Sequence, residues 1–118
     1  MKNVIPILRI FDEKKAKEFY LDYLGFKVDW EHRFQPDFPL YLQLSIESVQ
    51  IHLSEHHGDC SPGAAIRLEC TDLQNYHSIL NSKVYSFANP GIEKMPWNLN
   101  ELTVHDPFSN RIIFYQNT

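Results

Sequence analysis

The 118 residues contain no apolar run near the roughly 18 that a membrane-spanning helix requires, so no membrane partner is expected. They contain no basic block either. Eleven Lys and Arg stand against 15 Asp and Glu, a formal charge of −4, which argues against nucleic acid as a partner. Cys60 and Cys70 are the only cysteines and make no disulfide framework; reduced thiols and a cytoplasmic location are the expectation. The four glycines are scattered, so no phosphate-cradling loop is present. Serines and histidines occur, but not in the G-x-S-x-G setting of a nucleophile elbow. The N-terminal stretch MKNVIPILRIFDEKK lacks a signal-peptide cleavage region and reads as a first strand.

What the chain does have is a hydrophobic fraction of 43%, with two Trp, six Tyr and eight Phe, enough for the core of one domain over residues 1–118. Val4 to Phe11 is apolar and β-rich, broken by Pro6 and Arg9, and reads as a strand. Asp12 is placed to cap a helix whose stripe is Ala16, Phe19, Tyr20, Tyr23 and Leu24; Gly25 stops it. Strands follow at Phe26–Phe34, Leu40–Ile46 and Val49–Ser54, then a polar loop from Glu55 to Gly63. The pattern then restarts. Ala64–Cys70 reads as a strand, Thr71 or Asp72 as a cap, and Leu73, Tyr76, Ile79 and Leu80 as a helical stripe. Strands at about Ile92–Met95, Leu99–His105 and Arg111–Gln116 close the unit, the last two joined by a turn over Asp106–Asn110. The chain therefore reads as an α+β protein of two βαβββ modules, about 1–58 and about 62–118, with curved sheets forming a half-open barrel.

Three motifs carry a resemblance. Asp12, Ala16, Phe19-Tyr20 and Tyr23-Leu24-Gly25-Phe26 resemble the first-helix signature of the glyoxalase / bleomycin-resistance / dioxygenase (vicinal oxygen chelate) superfamily. Pro96-Trp97, Glu101-Leu102-Thr103-Val104, Asp106-Pro107 and Asn110 are similar to its C-terminal signature in the bleomycin-resistance form, and Leu53–Asp59 resembles a stretch of that branch. One departure is Ser109, where the family usually has Gly; if the position needs a positive φ, Ser carries a steric cost. Metal-binding members hold a divalent ion on strand positions that fall here at about Ile5, Ala65 or Ile66, and Ile113, none of which has a lone pair. The expectation is no cofactor and no metal. The rival donor set is His52 and His56 with Glu101; His52 and His56 would lie roughly 13 Å apart along a regular strand.

The resemblance implies a homodimer with two small-molecule grooves. Asp29, Trp30, Ser54 and Trp97 match groove positions, and Phe34 and Phe38 fall in the adjoining loop. Read on its own, each of these aromatics fits core or dimer packing as well as a π-lined groove for a planar or cationic ligand. Pro96 would stiffen the approach to Trp97, and Asp29 or Glu101 would offset positive charge on a ligand. The resulting expectation is a metal-independent binding and sequestering protein without catalytic residues, whose ligand is a small molecule. The alternatives are a metal-dependent lyase, isomerase or dioxygenase of the same superfamily, and a dimeric interaction protein without a ligand.

Overall fold

The computed structural model describes residues 1–85 and 90–117. Among these residues, eight strands form two four-stranded sheets. β1 (Ile7–Arg9), β2 (Lys27–His32), β3 (Tyr41–Ile46) and β4 (Val49–Ser54) are ordered β1-β4-β3-β2. β5 (Ala65–Glu69), β6 (Ile92–Lys94), β7 (Leu99–His105) and β8 (Arg111–Asn117) are ordered β5-β8-β7-β6. In each sheet the first strand lies parallel to the fourth and the other pairs are antiparallel, because a helix carries the chain across between first and second strands. This is the βαβββ repeat read from the sequence.

The helix of the first module begins as α1 (Glu13–Lys17) and widens into a π-helical segment (Glu18–Tyr23). Asp12 Oδ1 accepts from Lys15 N at 2.8 Å, satisfying a first-turn donor. The wide turns let Phe26 N–H reach Tyr20 O at 2.9 Å, and Gly25 makes the reversal at φ 95. Phe19, Tyr20 and Tyr23 all enter the core. In the second module Asp72, not Thr71, caps α2 (Leu73–Asn81) by accepting from Asn75 N. Leu73 and Leu80 are buried and Tyr76 packs against the core, but Ile79 is exposed, so the apolar stripe is narrower than its spacing predicts.

The two strands that fall furthest short of expectation are β1 and β2. The first spans only Ile7–Arg9: Pro6 has no N–H to extend the ladder and contributes only its carbonyl, which accepts from His52 N. The second ends at His32, and its register shifts between Val28 and Trp30, leaving Asp29 in a bulge. Phe34 therefore lies outside the strand.

Alternation fixes which face of each sheet is left over. Leu42, Leu44, Ile51 and Leu53 of the first sheet and Leu102, Val104, Ile112 and Phe114 of the second join one core with the helices. Tyr20 O–H donates to Asp106 Oδ2 at 2.7 Å and Asn110 Nδ2 to Arg9 O at 2.9 Å, while Tyr76 O–H reaches Leu24 O at 2.7 Å. These three buried or half-buried contacts tie module to module. Among the described residues, the opposite face of each sheet carries no helix.

Candidate functional site

On the free face of the first sheet, register places Trp30, Gln43 and His52 in one row and His32, Tyr41, Ser54 and Arg9 in the next. The bulge at Asp29 turns its carboxylate back over β3. There it accepts from Gln43 Nε2 at 3.0 Å and Ser45 Oγ at 2.9 Å. Those two bonds, that from Gln43 first, hold the Asp29 carboxyl below the usual carboxylate range. An ionised carboxylate only accepts, so the amide nitrogen of Gln43 faces Asp29 and its oxygen faces His52 Nε2, 2.9 Å away. His52 therefore carries its proton on Nε2, and its Nδ1 accepts the Tyr41 O–H at 2.7 Å. Burial lowers the His52 pKa, which keeps the ring neutral in this role. Trp30 stacks on Tyr41 with centroids 6.0 Å apart and planes 12° off parallel, and meets the His52 ring edge-on at 5.3 Å. The indole is thus braced from below yet 43% exposed.

The free face of the second sheet holds a matching arrangement. Trp97 sits with Pro96 at the centre of a turn closed by Asn98 N to Met95 O, rather than at the start of a strand. Proline suits the second position of such a turn because its φ is preset. The indole Nε1 donates to Glu101 Oε2 at 3.3 Å, and Arg67 Nη2 donates to the same oxygen at 2.8 Å. Arg67 lies over the Tyr115 ring, 5.0 Å from its centroid. The bond from Arg67 is the main reason the Glu101 carboxyl lies below its ordinary range. Glu101 is buried and already neutralised, so Asp29 is the carboxylate of this pair left to meet a cation. Trp97 is 58% exposed.

The residues singled out from the sequence thus fall into separate places. Asp29 and Trp30 share the first face. Trp97 lies on the second sheet, and no ring contact or hydrogen bond joins it to Trp30 among the described residues. Ser54 is fully buried; its hydroxyl donates to Asp59 Oδ2 at 2.6 Å and accepts from His56 N, so it holds the loop after β4. Phe34 packs edge-on against His32 and His56, and Phe38 lies further along the same loop. The rival metal donors are not gathered: His52 is in the network above, His56 is in a loop and Glu101 is on the other sheet, held by Arg67. Among the described residues, no group of three or more His, Cys, Asp or Glu is placed to hold a metal ion. The hydrocarbon side chains of Ile5, Ala65 and Ile113 do not fit the donor set of the metal-binding relatives. Tyr41, Gln43, Ser45, Arg67 and Tyr115 complete the two faces and were not named as ligand-binding from the sequence. Their signal was strand alternation opposite Leu42 and Leu44, and opposite Ile112 and Phe114.

A family model described as glyoxalase superfamily protein matches residues 1–118, and the chain belongs to that superfamily. The fold is shared with a bleomycin-binding protein solved with bleomycin (19% identity, TM-score 0.73, all of both chains covered). It is also shared with a bleomycin resistance determinant encoded on the transposon Tn5 (18% identity, TM-score 0.75, 99% of this chain and 98% of that one). TnmS3, an antibiotic binding protein from Streptomyces sp. CB03234, matches at 21% identity and TM-score 0.76, covering 100% and 98%. A search of curated proteins finds no significant match. No helix among the described residues is long and apolar enough to cross a membrane.

Proposed function

We propose that the protein is a small-molecule binding protein of the bleomycin-resistance type, acting without a metal. It forms a homodimer in which the first-sheet face of one protomer lies opposite the second-sheet face of its partner. The observation that carries this reading is the pair of braced, exposed indoles. Trp30 is fixed by Tyr41 and His52, and Trp97 by Glu101, each on a sheet face without a helix. Side chains ordered before binding lose little entropy on contact, and an indole face suits a flat ring. Asp29 supplies a countercharge for a cationic group on the ligand. The structural relatives that bind bleomycin or another antibiotic support the same class of ligand.

Tryptophan fluorescence titrated with bleomycin tests the proposal. Saturable quenching at micromolar ligand is the expected result, lost in Trp97→Ala while the variant remains folded. Absence of quenching favours a dimer whose aromatics serve only as interface. A stoichiometric metal in the purified protein, with chelator-sensitive turnover, favours an enzyme.

A further inference from the structure

Arg9 presents a problem that the groove does not absorb. The residue is 9% exposed. Its Nη1 is sealed from solvent and has no hydrogen-bond partner among the described residues. Its guanidinium lies over the Phe11 ring, 4.6 Å from the centroid, which covers one face and offers no lone pair. Arginine cannot escape burial by losing its proton. A buried cation with unmet donors is costly unless an acceptor arrives.

Arg9 lines a cavity of about 360 Å³ that also involves Phe11, Arg33, Asp37, Phe38 and Glu55. The charges around it are unequally occupied. Arg33 donates to Phe38 O at 2.8 Å and pairs with Glu13, and lies 3.8 Å from Glu55. Glu55 Oε1 also takes the Leu40 N–H at 2.9 Å. Asp37 is exposed, where water and salt screen its repulsion of an anion. Arg9 is therefore the cation left without an acceptor. Phe11, 56% exposed, and Phe38, 43% exposed, present ring surface at the same opening.

We propose that this cavity is a second ligand site on the first-sheet face, beside the proposed groove, taking an organic oxyanion on a flat apolar body. Carboxylate or phosphate-monoester oxygens accept from the Arg9 fork, and the body lies against Phe11 and Phe38. The planar guanidinium matches either oxyanion, and an aromatic acid meets both features at once.

The test is a titration of the intact protein with benzoate, phenyl phosphate, inorganic phosphate and benzyl alcohol at fixed ionic strength, read by amide chemical shifts. Saturable shifts centred on Arg9, Phe11 and Phe38 are expected with benzoate or phenyl phosphate, and whichever binds more tightly names the headgroup. Inorganic phosphate should bind at least about tenfold more weakly, for want of the ring, and benzyl alcohol should leave these amides unmoved. Arg9→Met should weaken binding at least about tenfold and raise the melting temperature of the free protein, since the stranded charge is gone. If Arg9→Met does not fold, Arg9→Lys keeps the charge without the fork, and the same comparison is made with it. The proposal is overturned if neither aromatic anion binds, if the shifts map elsewhere, if chloride reproduces them, or if the Arg9 variants bind as tightly as the wild type. None of these outcomes depends on whether bleomycin binds.

Discussion

Ser109 sits at φ 72 in the turn between β7 and β8, a left-handed conformation that a side chain with a Cβ disfavours. The turn tolerates it because Asp106 Oδ1 accepts from both Phe108 N and Asn110 N at 2.8 Å, while Asp106 Oδ2 takes the Tyr20 hydroxyl and Asn110 Nδ2. Local strain is thus held by a buried carboxylate that also fastens one module to the other. The Ser109 side chain is exposed, so its removal should cost no packing. Ser109→Gly relieves the steric conflict, partly offset by the greater freedom of glycine in the unfolded chain. A stabilisation of about 0.5–1 kcal/mol is the expected outcome in urea denaturation. An unchanged or lowered midpoint would show that the left-handed turn is not strained. This departure from the family's usual glycine was visible in the sequence, and the positive φ supplies its physical meaning.

At the level of elements, much was readable because it rests on local chemistry: the Asp12 cap, the Gly25 stop, and the alternation of β3, β4, β7 and β8. What was not readable depends on register between distant strands. The chain from Asp29 through Gln43 and His52 to Tyr41 draws on three strands and begins at a bulge, which no periodicity announces. Nor does the sequence show that β2 stops at His32, short of Phe34. The solitary burial of Arg9, in a strand that alternation describes as apolar, was equally hidden. The His52 network has a pH signature of fixed sign. Burial lowers the His52 pKa, so the folded chain prefers the neutral ring and the unfolded chain takes up the extra proton. The stabilisation this gives is complete above the unfolded value of about 6.5 and is lost as pH falls through it toward the lower folded value. In an NMR titration His52 should have a midpoint below an ordinary histidine's. Between pH 7 and pH 5.5, roughly the window around that value, the wild type should lose more stability than His52→Gln. A His52 midpoint at or above the ordinary value would refute the assignment.

For the whole molecule, the central question is geometric. Within one chain Trp30 and Trp97 stand on the free faces of different sheets, and the proposed groove brings the two faces opposite each other through a second copy. A two-fold dimer that pairs the first-sheet face of one protomer with the second-sheet face of its partner creates two equivalent grooves, each using Trp30 from one chain and Trp97 from the other. Complementation tests this arrangement more sharply than any single variant. Trp30→Ala and Trp97→Ala homodimers should each bind bleomycin poorly, since every groove lacks one indole. If the two variants are mixed and allowed to exchange, the mixed dimer has one groove lacking both indoles and one with both intact. Random exchange converts about half of the dimers to this form, so quenching should return with about one tight site per mixed dimer. Both indoles are exposed, so each variant should fold, which size and circular dichroism can verify before mixing. If exchange is demonstrated and binding does not return, the two indoles do not meet across a subunit boundary. If each variant alone binds like the wild type, the indoles do not form the groove.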